Sequence, residues 1–177
     1  MNKTTSRLLG AVASGAAKAA RTLLRRRSPI TASASAGSTT AAPSARSGEL
    51  TGAPTITYAP KTGSKPDPGE VVWAWVPYEE DASQGKVRPV LLIGREGEDF
   101  AGVMFSSVNH HQDAAQEASE GRYWVKVGKG AWDSKGRASY ARVDRVLRID
   151  PETIDGRAEK LDKSRFTKVT DAVLKHC

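Results

Sequence analysis

The second half of the chain alternates apolar and polar residues in short runs that are typical of β-strands. In the first run, Val71, Trp73 and Trp75 can face one side while the residues between them face the other. Each run is bounded by Gly, Pro or a polar connection. The runs that predict strands are EVVWAWVPY, VRPVLLIGRE, FAGVMFSS, YWVKVG and SYARVDRVLRI.

The last residues of the chain follow a helical pattern instead. Apolar residues recur at helical spacing after Ser164, which can cap the helix. The segment PETI can begin a shorter helix, and NHHQDAAQEASEGR is predicted to be a loop or a short helix. Strands followed by a helix predict a mainly β fold of the α+β class. We expect residues 67–177 to form a small antiparallel β-barrel around a single modest core.

The first 66 residues are predicted to form a separate tail. Residues 5–27 place Leu, Val and Ala on one side of a helix and Arg and Lys on the other. Such a basic amphipathic helix can lie on an anionic membrane surface or bind nucleic acid or an acidic partner, and the alternative is a helix mostly unfolded in water. Residues 28–66 are rich in Ser, Thr, Ala, Gly and Pro, which predicts a disordered linker. We therefore divide the chain into a tail, 1–66, and a domain, 67–177.

Charge separates the same two segments. Residues 1–66 contain ten Lys or Arg and one acidic residue, a net of +9, so residues 67–177 carry −2 of the formal total of +7. Any nucleic-acid site in the domain must therefore depend on a local basic patch. A cleaved signal peptide is a weaker alternative for the N-terminus, because Lys18 and Arg21 interrupt its apolar run. We expect a cytoplasmic protein.

Composition and motifs exclude several classes of protein. No apolar run approaches the roughly 18–20 residues that span a bilayer. Cys177 is the only cysteine, which excludes a disulfide scaffold and a cysteine-based zinc site, and three histidines leave little for another metal centre. We expect no metal and no other cofactor. The sequence has no P-loop, no G-x-G-x-x-G motif after a strand and no nucleophile elbow.

Two strand ends carry the candidate chemistry. Arg88 and Pro89 open the second predicted strand, and the hydroxyl pair Ser106 and Ser107 ends the third. Adjacent strand ends at one edge of a barrel can point these groups into a common cleft. A guanidinium fork together with hydroxyl donors suits a phosphate group.

Four segments appear in a specific order along the domain: GEVVWAWVP, SQGKVRPVLLIG, VMFSS and ARVDRVLRID, followed by the C-terminal helix. From Gly69 to about Leu174 this order resembles the PemK/MazF family of toxin endoribonucleases. The resemblance implies an SH3-like, CcdB-type barrel that forms a homodimer, cuts single-stranded RNA without a metal, and binds a cognate antitoxin with an acidic tail. In the implied reaction the 2′-hydroxyl attacks the adjacent phosphate, leaving a 2′,3′-cyclic phosphate and a 5′-hydroxyl.

The resemblance also implies the catalytic residues. The catalytic Arg of the family falls on Arg88, which would stabilise the charge of the phosphorane. Its catalytic Thr falls on Ser106, which would hold a non-bridging oxygen; Ser keeps the hydroxyl but lacks the stiffness of a branched side chain. Many members have an acidic residue before the loop Gln, whereas Ser83 precedes Gln84 in this chain.

Other residues near these strand ends are candidates for RNA binding or an accessory role. An imidazole titrates near neutral pH, so a histidine beside the hydroxyl pair can act as acid or base toward a 2′-hydroxyl, and a solvated loop histidine is the alternative. The acidic run from Glu79 to Asp81 is predicted to be a solvated loop beside the cleft. The accessory candidates are Gln84, Lys86, Ser107, His110 and His111.

Two classes of function remain open from the sequence. The first is a toxin endoribonuclease, which Arg88 and Ser106 favour. The second is a catalytically weak or inactive family member that binds RNA or a protein as a regulator and is tethered by its basic tail, which the −2 charge of the domain favours. A third, gyrase poisoning in the manner of the related CcdB fold, has no motif in this sequence.

Overall fold

The computed structural model describes residues 46–110 and 112–177, which form eight strands and two helices. The strands are β1 (Gly48–Glu49), β2 (Glu70–Pro77), β3 (Gly85–Glu96), β4 (Asp99–Ser106), β5 (Trp124–Gly128), β6 (Ser139–Arg142), β7 (Leu147–Ile149) and β8 (Ile154–Lys160). The helices are α1 (Ala114–Ser119) and α2 (Lys163–His176), and Pro151–Thr153 form a 3₁₀ turn. The predicted helix over 5–27 and the linker as far as residue 45 lie outside the described residues, as does His111.

The strands form one mainly antiparallel sheet in the order β1–β7–β4–β3–β2–β8. The outer edge of β4 is shared, because β7 pairs with its first half and β6 with its last two residues, and β5 continues the sheet beyond β6. The predicted mainly β, α+β class with a C-terminal helix is confirmed. Among the described strands, β1 and β8 do not pair with each other, so the sheet is not closed into the predicted barrel.

Three elements differ from the predicted ones. The run SYARVDRVLRI forms two strands, β6 and β7, and not one. The Asp144 carboxylate accepts from the Tyr123 amide, and the Val143 amide donates to the Tyr123 carbonyl, which turns the chain between the two strands. Strand β8 was not predicted, since its sequence IDGRAEK lacks a clear apolar alternation. Helix α2 is capped by Asp162, whose carboxylate accepts from the Arg165 amide at 2.9 Å, and not by Ser164.

Apolar clusters cover both faces of the central strands, as the alternation of side chains requires. On one face, Phe166, Val169 and Val173 of α2 pack onto a cluster that contains Leu91 and Val103. The cluster on the other face is also buried. Its members are Val72, Ala74, Val76, Val90, Leu92, Phe100, Met104, Leu147 and Ile149.

Residues 46–66 were assigned to the linker, whereas the structure places them against the sheet. Ile56 forms an isolated antiparallel bridge with Gly94 of β3. The Tyr58 hydroxyl donates to the Leu161 carbonyl at 2.9 Å, and its ring packs on α2. A few apolar side chains in a Ser- and Pro-rich segment are therefore sufficient to hold it on the domain. The boundary between tail and domain stays a prediction. No helix among the described residues is long and apolar enough to cross a membrane.

Candidate active site

The antiparallel register brings the two predicted catalytic residues to the same end of the sheet. Val90 of β3 lies opposite Met104 of β4. Arg88 lies two residues before Val90, and Ser106 lies two residues after Met104. Because the strands are antiparallel, both residues lie at the same end of the pair. Both line a cavity of about 500 Å³. The adjacent strand ends therefore do converge on one cleft, as the positions of these residues suggested.

The lining of this cavity is basic and partly aromatic. Two of the accessory candidates, Lys86 and Ser107, line it together with Arg88 and Ser106. The loop between β5 and β6 adds Lys135 and Arg137, which the sequence analysis did not single out. A domain with a net charge of −2 thus has a local basic patch where the hydroxyl groups lie. The two tryptophans in the lining are Trp73, which is partly exposed, and Trp132, which is buried.

The Arg88 guanidinium carries a positive charge that no described residue neutralises. It is half-buried, and within residues 46–110 and 112–177 no carboxylate or hydrogen-bond acceptor pairs with it. Burial lowers the pKa of Arg88, and the nearby charge of Arg145 lowers it further, against an opposing effect of Tyr78. A guanidinium nevertheless stays protonated at neutral pH. Arg88 is therefore available to an anion that enters the cavity.

The arginines of the ARVDRVLRID segment, by contrast, have acidic partners. Arg142 is buried and forms a two-point ion pair with Glu79, with N–O distances of 2.7 and 2.9 Å, and a further pair with Asp144 at 2.9 Å. Burial alone would lower the pKa of Arg142, but its hydrogen bonds to the two carboxylates outweigh burial and raise it. Arg145 pairs with Glu49 at 3.3 Å. These side chains hold structure together and do not line the 500 Å³ cavity.

The acidic loop before β3 is exposed, as predicted, and several of its side chains are hydrogen-bonded. Glu79, expected to be solvated, is anchored by Arg142, whose hydrogen bonds hold the pKa of Glu79 below its ordinary value. Gln84 donates to the Asp81 carboxylate at 2.7 Å, and the Ser83 hydroxyl donates to the same group at 2.6 Å. Gln84 therefore stabilises the loop and does not line the cavity that contains Arg88 and Ser106.

Ser106 also contacts a histidine. Its Oγ accepts from the Val108 amide at 3.2 Å and lies 3.1 Å from Nε2 of His110. Nδ1 of the same imidazole lies 3.1 Å from a carboxylate oxygen of Glu117 in α1. The imidazole stacks on Trp124, with ring centroids 3.7 Å apart and planes 1° from parallel. The His110 side chain is therefore positioned beside Ser106 by its hydrogen bonds and ring stack, and it is not a solvated loop histidine.

The residues that sequence reasoning missed come from segments without a motif. Glu117 lies in a polar stretch with several other acidic residues, and nothing local distinguishes it from them. Lys135 and Arg137 are the basic residues of the turn-rich segment DSKGR, a signal that a search for basic loops between strands could have found. Among the described residues, no group of three or more His, Cys, Asp or Glu is placed to hold a metal ion.

Comparison with known proteins bears on the domain as a whole. A family model described as PemK-like, MazF-like toxin of type II toxin-antitoxin system matches residues 67–177. The match covers more than half of the chain and includes β2 to β8 and α2. A search of curated proteins found no match.

Proposed function

Because the chain belongs to the PemK-like, MazF-like toxin family of type II toxin–antitoxin systems, we propose that it is an endoribonuclease that cleaves single-stranded RNA. The observation that carries this proposal is the half-buried Arg88 guanidinium, which has no partner within residues 46–110 and 112–177 and lines a cavity of about 500 Å³ with Ser106. An RNA backbone carries one negative charge per phosphate, and a desolvated guanidinium attracts such a charge more strongly than one in water.

The proposed reaction is a transesterification of the backbone. The ribose 2′-oxygen attacks the adjacent phosphorus, the bond to the 5′-oxygen breaks, and the products carry a 2′,3′-cyclic phosphate and a 5′-hydroxyl. Charge accumulates on the non-bridging oxygens as the phosphorane forms, so donors aimed at those oxygens accelerate the step. Arg88 supplies a fork of N–H donors, and the hydroxyl of Ser107 supplies a further one.

The rest of the lining supports binding of a strand longer than one phosphate. Lys86 and Lys135 provide positive charge around the central pair and can contact flanking phosphates, whereas Arg137 is paired with Asp133 of the same lining at 2.9 Å. Trp73 lines the cavity and is partly exposed, so a base of a single strand can stack on it. Trp132 is buried and donates to the Ser139 hydroxyl at 3.0 Å, so we assign it to the core and not to stacking.

The partners follow from the family. Type II toxins are opposed by a protein antitoxin, and an acidic segment of that antitoxin would compete with RNA for the basic lining around Arg88. We propose that the chain acts as a homodimer in the cytoplasm, where its RNA substrate is found. The basic residues of the tail that precede residue 46 lie outside the described residues, and they would add affinity for RNA that is independent of its sequence.

Replacement of Arg88 tests this proposal. We expect Arg88→Ala in the full chain to lower the rate of cleavage of a long single-stranded RNA by about 10²–10³-fold, the usual loss when one donor to a developing oxyanion is removed. Since Arg88 has no partner among the described residues, the thermal unfolding midpoint should stay close to that of the wild type.

Arg148→Ala is the matched control, because Arg148 is an exposed arginine outside the cavity. It should cleave like the wild type. Equal cleavage by the Arg88→Ala and Arg148→Ala proteins would show that the proposed site is wrong. Wild-type protein that binds RNA and leaves it intact would favour the regulatory, non-catalytic alternative.

A further inference from the structure

A continuous hydrogen-bonded path leads away from the cavity through three side chains. Ser106 Oγ lies 3.1 Å from His110 Nε2, and His110 Nδ1 lies 3.1 Å from Glu117 Oε1. The imidazole and the carboxylate are largely covered, with side chains 15% and 17% exposed. Ser106 is the only member of the three that lines the large cavity, so the path begins at the proposed reaction site.

The charge of Glu117 determines which way the hydrogen bonds of this path run. Its second oxygen, Oε2, accepts from Arg122 Nε at 2.7 Å and from Trp124 Nε1 at 3.0 Å. The hydrogen bond from Arg122 is the main reason that the pKa of Glu117 falls to about 2, with further contributions from Trp124 and His110. An ionised carboxylate can only accept hydrogen bonds. His110 must therefore carry its proton on Nδ1 and donate it to Glu117.

The orientation of the neutral imidazole follows. With Nδ1 protonated, Nε2 has a free lone pair directed at Ser106 Oγ. That hydroxyl already accepts from the Val108 amide at 3.2 Å, which leaves its own proton to donate to Nε2. The parallel stack on Trp124 holds the ring in this plane. Ser106 and His110 are thus arranged as a proton donor and its acceptor.

The imidazole has a carboxylate and an indole ring as its immediate neighbours. Among the described residues, the charged or titratable side chains that line a small cavity of about 130 Å³ with His110 are Glu117, Arg122 and Tyr123. Arg122 is already paired with Glu117, so the carboxylate and the face of Trp124 are what an imidazolium would meet.

Helix α1 contributes little to the packing of the core. It spans only six residues, none of them buried, so in the described structure it adds nothing to either apolar cluster. The side chain through which it contacts β5 and the 106–110 turn is Glu117. Helix α1 thus presents this carboxylate to His110.

We propose that His110 is the proton acceptor of the cleavage reaction, acting through the Ser106 hydroxyl, and that Glu117 is its positioning residue. This inference rests on the proposed ribonuclease function. The 2′-oxygen bonds to phosphorus as its proton passes to Ser106 Oγ, whose own proton passes to His110 Nε2. The bond between phosphorus and the 5′-oxygen breaks, and that oxygen takes a proton from water. His110 afterwards returns its proton to solvent, so Ser106 and His110 end as they began.

The pH dependence of cleavage separates this role from a structural one. A base works in its unprotonated form, so the wild-type rate should rise with pH through the range in which imidazoles titrate, about pH 5–8, and then level off. His110→Gln in the full chain should cleave about 10²–10⁴-fold more slowly and should lose that rise. His176→Gln, which removes a histidine of α2 outside both cavities, is the matched control and should keep the wild-type rate and profile.

Glu117→Gln tests the same path with almost no change in shape. Oε2 accepts two hydrogen bonds, so the amide oxygen of Gln must take that position and its NH₂ group must face His110. Nδ1 then has to accept, the proton moves to Nε2, and Nε2 can no longer receive one from Ser106. We expect a loss of rate comparable to that of His110→Gln, with the unfolding midpoint of each variant measured to confirm that it is folded.

The outcomes distinguish this inference from the proposed function. Wild-type protein that leaves RNA intact would overturn both. Active wild type together with His110→Gln and Glu117→Gln proteins that keep its rate and its pH profile would overturn only the proton-transfer role. Slow, pH-independent cleavage by both folded variants, with His176→Gln unchanged, would support it.

Discussion

At the scale of single residues, two arginines in this domain have different roles because their neighbours differ. Arg142 is 6% exposed and is surrounded by carboxylates, whereas Arg88 is half-buried and has none among the described residues. A buried charge without a partner is costly, so its presence at a strand end points to an anionic ligand. Arg142, in turn, neutralises Asp144, which is itself nearly buried.

Replacing Arg142 should therefore affect stability much more than replacing an exposed arginine. We expect Arg142→Met to lower the free energy of unfolding by about 3 kcal/mol, because it leaves the Asp144 carboxylate without its partner. Arg148→Met, with a half-exposed side chain 3.9 Å from Asp99, should change it by less than about 0.5 kcal/mol. Urea unfolding followed by tryptophan fluorescence measures both. Equal effects would mean that the buried ion pair does not stabilise the domain.

The candidate site was only partly predictable from residues alone. Arg88 and Ser106 could be predicted because each lies at a strand end and belongs to a recognisable motif. Glu117 could not, because its contact with His110 depends on the turn after β4 and on the position of α1, neither of which has a sequence signal. The role of Arg142 could not be predicted either, because its partner Glu79 lies 63 residues away along the chain.

At the scale of elements, apolar alternation predicted the strands that form the centre of the sheet and failed at its edges. Strands β2, β3 and β4 each contain a long buried run, and these runs consist mainly of aliphatic and aromatic residues. Edge strands β1 and β8 are respectively very short and largely polar, so their pairing depends on the strands beside them. Residues 46–66 are held in the same way, by a bridge to β3 that no local pattern indicates.

Gly94 makes this bridge possible. A Cβ at position 94 would lie 1.7 Å from the carbonyl oxygen of Thr55, so Gly94→Ala must displace the segment from β3. We expect a loss of about 1–3 kcal/mol in the free energy of unfolding, the usual cost of a steric conflict in a packed region. Gly156→Ala in β8 has nothing within 4 Å of the added carbon and should change stability little. Faster proteolysis within residues 46–66 of the Gly94→Ala protein alone would show that this segment is the one displaced. Equal stability of the two variants would contradict the prediction.

At the scale of the whole molecule, charge is divided between a basic tail and a weakly acidic domain that concentrates positive side chains around one cavity. This division explains why bulk charge is a poor guide to the function of the domain. The basic lining, Arg88 and the Ser106–His110–Glu117 path converge on one place. That place lies within the residues that match the toxin family.

The chemical ends of the RNA products test this account most directly. The full chain would be incubated with a long single-stranded RNA in EDTA, and the termini of the fragments would be identified by enzymatic end-labelling and mass spectrometry. Attack by the 2′-oxygen predicts discrete fragments with 2′,3′-cyclic phosphate and 5′-hydroxyl ends. Fragments with 3′-hydroxyl and 5′-phosphate ends, or RNA that stays intact, would contradict the account.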